Sequence, residues 1–156
     1  MSWRNRLVIM KALKDFINES VEQYKKILVV IKPGFLNNAA EILSIYKEKS
    51  WKLKFSTIKQ LQLSEAEELY KVHKKEDFYK SLCEYMSSDI TRAMIFVKNT
   101  DKNEFEEATT IKDEIRKKWG ESDMRNVVHS SDSKENFEHE AGIYFRSEER
   151  RVGKEC

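Results

Sequence analysis

The stretch ILVVIKPGF, Ile27 to Phe35, sets five apolar residues in a row ahead of the chain's only proline. A half-buried strand alternates apolar and polar positions. A continuous, mostly β-branched run instead predicts a central strand covered on both faces. The KPGF that follows ends it, because proline and glycine punctuate an extended run. The rest of the chain must therefore supply neighbouring strands and two layers of cover.

Downstream, Asn37 or Asn38 can cap a helix over 39–49 whose inner face carries Ile42, Leu43 and Tyr46. WKLKFSTIKQLQL alternates, with Trp51, Leu53 and Phe55 on one side and Lys52, Lys54 and Ser56 on the other, so it predicts a half-buried strand. LSEAEEL opens a helix with Ser64 as its cap and Glu67 at capping-box spacing. A helix over 77–86, a strand in RAMIFV, a charged helix over 104–118, a short strand in NVV and a final helix in SKENFEHEAGIYF complete the series. The order βαβ, two helices, then βαβα predicts an α/β protein in the loose sense, an α+β sandwich. The plan is ferredoxin-like βαββαβ, a four-stranded antiparallel sheet with helices on its faces.

Upstream, Met10, Leu13, Ile17, Val21 and Tyr24 recur at helical spacing over 7–24. That segment reads either as a helix packed on its own domain or as an arm that docks on a partner. The expected division is an amphipathic arm at 1–25, a domain at 26–145 and a tail at 146–156. The tail has no apolar periodicity. It is similar to the in-frame translation of a common sequencing adapter, and it is set aside from the functional reading.

Composition narrows the function classes. Of 156 residues, 40% are hydrophobic and 11% aromatic, enough for a core, while a net charge of +2 makes no strong claim on nucleic acid. The two cysteines, Cys83 and Cys156, form no ligand motif, so a reduced intracellular compartment is expected, with no structural disulfide or zinc. No apolar run approaches the ~20 residues of a spanning helix. Lys11, which interrupts the apolar start, argues against a signal peptide.

The chemistry gathers in NVVHSSDS, Asn126 to Ser133. Alone, an asparagine and an aspartate there are turn formers, and a histidine after a strand is more often structural than reactive. Taken with VVIKPGF and YMSSD, however, the motif resembles the nucleoside diphosphate kinase family, whose pattern at this point is Asn-x-x-His-Gly-Ser-Asp-Ser. The one departure is Ser130 for the glycine. The resemblance implies that His129 is a nucleophile that carries a phosphoryl group between nucleotides. Imidazole suits that task, being largely uncharged near neutral pH. It further implies that Glu140 orients the ring, that Tyr70 stands near it, and that Lys32 and Arg116 meet the phosphates. Asn126 would hold the ribose, and Phe78 and Leu82 would clamp the base, whose face rather than edge is read. Mg²⁺ would travel with the nucleotide, and no protein metal site is implied.

Three departures from the family pattern bear on activity. Glu76 stands where the family carries an arginine. The segment between the third strand and Arg116 is shorter by about seven residues, and the missing part normally supplies a second arginine and a threonine to the phosphates. Ser130 is expected to crowd a tight turn. Two lost charge-assisted contacts cost about 3–6 kcal/mol together, or about 10²–10⁴ in affinity. Lys74, Lys75, Lys112 and Lys117 are the cations available to compensate. On these grounds the sequence favours a nucleotide-binding or structural subunit that keeps the nucleophile but has a degraded phosphate site. By resemblance to the family's ciliary and flagellar branch, it would belong to a larger assembly such as an axoneme. The alternative is an active, cytoplasmic kinase that passes the γ-phosphate of a nucleoside triphosphate to a diphosphate by a ping-pong mechanism. Expected partners are nucleoside di- and triphosphates and other proteins, with neither nucleic acid nor membrane.

Overall fold

The structure, a computed structural model, describes residues 11, 13, 14, 16, 17 and 24–146. Met10 and Val21 of the expected N-terminal helix, and the tail beyond Arg146 with Cys156, lie outside the described residues.

Strand β1 (Tyr24–Ile31) contains the apolar run, and Ile27 to Ile31 are each 0% exposed. It pairs antiparallel with β3 (Thr91–Asn99) on one side and with β4 (Val128–Ser130) on the other, while β2 (Lys52–Lys59) pairs antiparallel with β3. The order β2-β3-β1-β4 is that of the expected ferredoxin-like sheet. The sheet has two buried faces. Ile27, Val29, Ile31, Met94 and Phe96 pack under α1 (Ala39–Glu48) and α4 (Glu104–Trp119) through Ile42, Tyr46, Ile111 and Ile115. Leu28, Val30, Ala93 and Ile95 face the other way, onto α2 (Leu63–Leu69), α3 (Tyr79–Met86) and α5 (Lys134–Ala141) through Leu69, Leu82, Met86 and Phe137. Double cover is why β1 does not alternate.

Leu13 and Ile17 are helical and buried within this second core, and Lys26 Nζ donates to the carbonyls of Phe16 (2.6 Å) and Ile17 (3.3 Å). Tyr24 does not continue that helix. It opens β1 opposite Asn99 and is 53% exposed.

Local readings shift for identifiable reasons. Trp51, Leu53 and Phe55 do not share a side. A bulge between Leu53 and Phe55 inserts one unpaired residue, which reverses the parity of the strand beyond it. Leu53 therefore lies opposite Phe96, and Phe55 lies opposite Ile95 on the other face. On α1 the buried face is Ile42, Ile45 and Tyr46, with Leu43 only partly covered. Helix α2 is capped by Gln62 rather than Ser64. Gln62 N–H donates to Glu65 Oε1 (2.9 Å), and Lys59 binds the same carboxylate (2.6 Å). Strand β4 starts at Val128, two residues later than NVV suggests, and so includes His129. After α5 the chain widens into a π-helical turn, Gly142–Arg146, that buries Tyr144 and Phe145.

Candidate active site

Lys32 leaves the end of β1 in a turn held by two backbone bonds. Its N–H donates to Val127 C=O (2.8 Å), and its own carbonyl accepts from Phe35 N–H (3.2 Å). Gly34 takes φ +91° in that turn, a conformation that side chains rarely adopt, so the backbone calls for glycine. The Arg125 guanidinium sits 5.4 Å from the ring centres of both Phe35 and Tyr85, which binds the turn to α3. Lys32 is thereby fixed with its side chain inward and 3% exposed, its ammonium reaching Met124 C=O at 3.3 Å.

His129 lies on β4 opposite Val30. Its Nε2 hydrogen-bonds Glu140 Oε1, with side-chain exposures of 18% and 5%. Glu140 arrives from α5, and SSDS is what sets that helix. Ser133 Oγ caps it by accepting from Asn136 N–H (3.1 Å), and Asp132 Oδ1 accepts from Asn136 Nδ2 (2.6 Å). Glu140 stands seven residues beyond the cap, about two turns on, which brings it back beneath the imidazole. With Nε2 so engaged, Nδ1 is the ring nitrogen without a partner among the described residues. The Tyr70 ring meets the imidazole edge-on, 5.4 Å between centres and 73° between planes.

Arg116 projects from α4, and its Nε (3.2 Å) and Nη2 (3.0 Å) both donate to Val128 C=O, the carbonyl just before the histidine. Nη1 has no partner among the described residues. Asn126 Nδ2 donates to Asp123 C=O (2.7 Å), which leaves its Oδ1 buried and unbonded. The Tyr70 hydroxyl is likewise buried without a partner. Unsatisfied buried polar atoms are costly, and both of these residues line the cleft, where a polar molecule could reach them.

One cleft of about 560 Å³ brings these groups together: Lys32, Tyr70, Phe78, Leu82, Arg116, Asn126 and His129 all line it, and Glu140 braces the ring from behind. Leu82 is buried, whereas Phe78 is 49% exposed at the rim and so is not an ordinary core residue. His73, Asp123 and Met124, which the sequence does not single out, also line the cleft, as do Ser130 and Asp132, which it presents as turn residues. Of the four candidate compensating lysines, Lys112 lines it as well, and Lys74, Lys75 and Lys117 do not. Glu76 is exposed and does not line the cleft. The expected crowding at Ser130 is absent, because Ser130 is a strand residue paired with Val29 and lacks a positive φ. The strained residue is Val127, at φ +80°.

The cleft is cationic. Burial, and then the charges of Arg116 and Lys112, hold the Lys32 ammonium down to about 7. Burial and Arg116 lower Lys112 in turn, against the opposing pull of Asp113 and Asp132. Lys32, Lys112 and Arg116 thus share one wall with Asp123 and Asp132, an arrangement in which an anion would relieve the repulsion felt by the two lysines.

The sequence model of the family described as nucleoside diphosphate kinase matches residues 25–150. This chain belongs to the nucleoside diphosphate kinase family. It is 30% identical over 139 residues to the nucleoside diphosphate kinase of Kosmotoga olearia, a match covering 80% of this chain and 91% of that one. It is 32% identical over 139 residues to that of Staphylothermus marinus, covering 80% and 95%. In structure it is similar to the Aquifex aeolicus nucleoside diphosphate kinase, with a TM-score of 0.65 and 25% identity over 78% of this chain and 95% of that one. The family fold therefore accounts for the sheet order and for helices on both faces. Among the described residues of this family member, no group of three or more histidine, cysteine, aspartate or glutamate side chains could hold a metal ion, and no helix is long and apolar enough to cross a membrane.

Proposed function

We propose that this protein transfers the γ-phosphoryl group of a nucleoside triphosphate to a nucleoside diphosphate through a phosphohistidine at His129. The observation that carries this reading is the His129–Glu140 pair, set with Nδ1 unpartnered beside a cationic cleft. The Nδ1 lone pair attacks the γ-phosphorus. The N–P bond forms as the bond to the β,γ-bridging oxygen breaks, and the diphosphate leaves with that electron pair. A terminal oxygen of a second diphosphate then attacks the phosphohistidine and returns the electron pair to Nδ1. Nε2–H keeps its proton throughout, and the Glu140 carboxylate offsets the positive charge the phosphorylated ring acquires.

The remaining residues bind and orient. Lys32 and the spare Nη1 of Arg116 meet phosphate oxygens. Asn126 Oδ1 accepts from a ribose hydroxyl, and the base lies between Phe78 and Leu82, which contact its faces and so accept different bases. Mg²⁺ enters as the counter-ion of the triphosphate and leaves with the product. The second reading, a nucleotide-binding subunit of a larger assembly in a cilium or flagellum, rests on the short segment between β3 and Arg116. It takes second place because Glu76 is outside the cleft and the pair that does the chemistry is whole.

With γ-labelled ATP and Mg²⁺, the protein should gain acid-labile phosphate, and His129→Asn should gain none. An unlabelled wild type at millimolar ATP would rule out phosphotransfer and leave the binding-subunit reading.

A further inference from the structure

Lys112 is the one cation in the cleft for which the fold gives no use. It stands one turn before Arg116 on α4 and lines the same wall, together with Lys32 and His129. It makes no hydrogen bond or salt bridge with any described residue. Its neighbours make its position unfavourable in the empty protein. Like charges at i and i+4 on a helix repel, partial burial strips water from the ammonium, and Lys32 is a third cation facing the pair. Asp113 and Asp132 offset this only in part, since the ammonium still holds its proton less firmly than a free lysine. Arg116 spends two of its three nitrogens on Val128 C=O, so it is a partial clamp by itself. Lys117, the next residue after Arg116 on α4, is exposed to solvent and does not line the cleft.

We propose that Lys112 is a ligand of the nucleotide's phosphate chain, closing with Lys32 and Arg116 a three-cation grip in which α4 supplies the charge that the shortened segment lacks. The inference rests on the phosphotransfer reading for the identity of the anion. An ammonium on a flexible stem takes up a phosphate oxygen from many directions, so arginine can replace it and a neutral side chain of like length cannot.

The test compares wild type, Lys112→Met, Lys112→Arg and Lys117→Met, each first matched to wild type in far-UV circular dichroism and urea midpoint. Dissociation constants are measured for Mg·ADP and for adenosine, which has no phosphate. Lys112→Met should weaken Mg·ADP about tenfold or more, the loss of one charge-assisted bond, and should leave adenosine unchanged. Lys112→Arg should stay within about threefold of wild type, and Lys117→Met should equal it. Equal Mg·ADP affinity in wild type and Lys112→Met overturns the proposal, as does an equal loss for ADP and adenosine. If Lys112→Met loses ADP selectively while wild-type His129 takes no label from ATP, the grip stands and the transfer reading falls. Failure of wild type to bind Mg·ADP at all overturns both.

Discussion

Lys32 shows how burial turns an ordinary lysine into a group that responds near neutral pH. Removal from water comes first among the causes that bring its ammonium from 10.5 to about 7, with Arg116 and Lys112 adding repulsion. In the unliganded protein the folded state thus releases a proton that the unfolded chain keeps. Folding is penalised below about pH 7, and stability from this group rises as pH climbs from there towards 10.5. A polyphosphate in the cleft reverses the balance, because an adjacent anion favours the protonated form. At pH 8 the free ammonium is about nine-tenths neutral by a one-unit difference from its pKa. Nucleotide binding should therefore take up close to one proton, and affinity should fall with rising pH above about 7. Calorimetry of Mg·ADP binding at pH 8, in two buffers of different ionisation enthalpy, measures that uptake, and a value near zero would contradict the role given to Lys32. At this scale the sequence is most legible where a side chain is named by a motif. His129 and Glu140 stand in contact, eleven residues apart along the chain. Lys112 is in no motif, and its place on the cleft wall depends on which helix face α4 turns to the cleft, a matter of packing rather than of residue type.

Strand β4 begins two residues late because of one backbone conformation. Val127 is fully buried and holds φ +80°, a region that a β-branched side chain enters only under strain of about 1–3 kcal/mol. The surroundings over-determine it. Val127 C=O accepts from Lys32 N–H (2.8 Å), the next carbonyl takes both bonds from Arg116, and Asn126 is tied to Asp123. The twist at Val127 separates the loop that carries Asn126 from the strand that carries His129, so both side chains reach one cleft. Nothing in NVV announces it, since three residues cannot reveal a positive φ at an apolar position. The bulge in β2 was hidden in the same way, because alternation in WKLKF is unbroken in sequence even though the pairing slips beside Leu53. A contrast between neighbours tests the strain. Val127→Gly and Val128→Gly each lose about 1.5–3 kcal/mol of side-chain burial and carry glycine's entropic cost, but only Val127→Gly relieves the backbone. Urea unfolding should find Val127→Gly the milder of the two by about 1–3 kcal/mol, the size of the strain released. Equal losses would mean that Val127 stores no strain.

Across the whole molecule, a single sheet serves two cores, and that is the feature most fully legible from sequence. The unbroken run at Ile27–Ile31 requires cover above and below, and the helices arrive on both faces as that demands. Successive residues of β1 and β3 alternate between the layers, Leu28 to one and Val29 to the other, so neither layer can lose its packing without loosening strands that the other needs. Small domains of this size commonly unfold as one unit, and shared strands give the physical reason here. Phe137 is buried against the α2, α3 and α5 side, while Trp51 and Trp119 both pack on the α1 and α4 side, through the sheet from it. Phe137→Ala should cost about 3–5 kcal/mol. In a Trp3→Phe background, where only Trp51 and Trp119 report, its urea midpoint should fall equally when followed by tryptophan fluorescence, which then senses the far core, and by far-UV circular dichroism, which senses the whole backbone. A fluorescence midpoint left at the wild-type value, with the dichroism midpoint lowered, would show that the layers melt separately. In that event α5 could unfold, and Glu140 withdraw from His129, without loss of the α4 wall that carries Lys112 and Arg116. A shared transition instead ties the integrity of the His129–Glu140 pair and of the Lys112–Arg116 wall to one folding equilibrium.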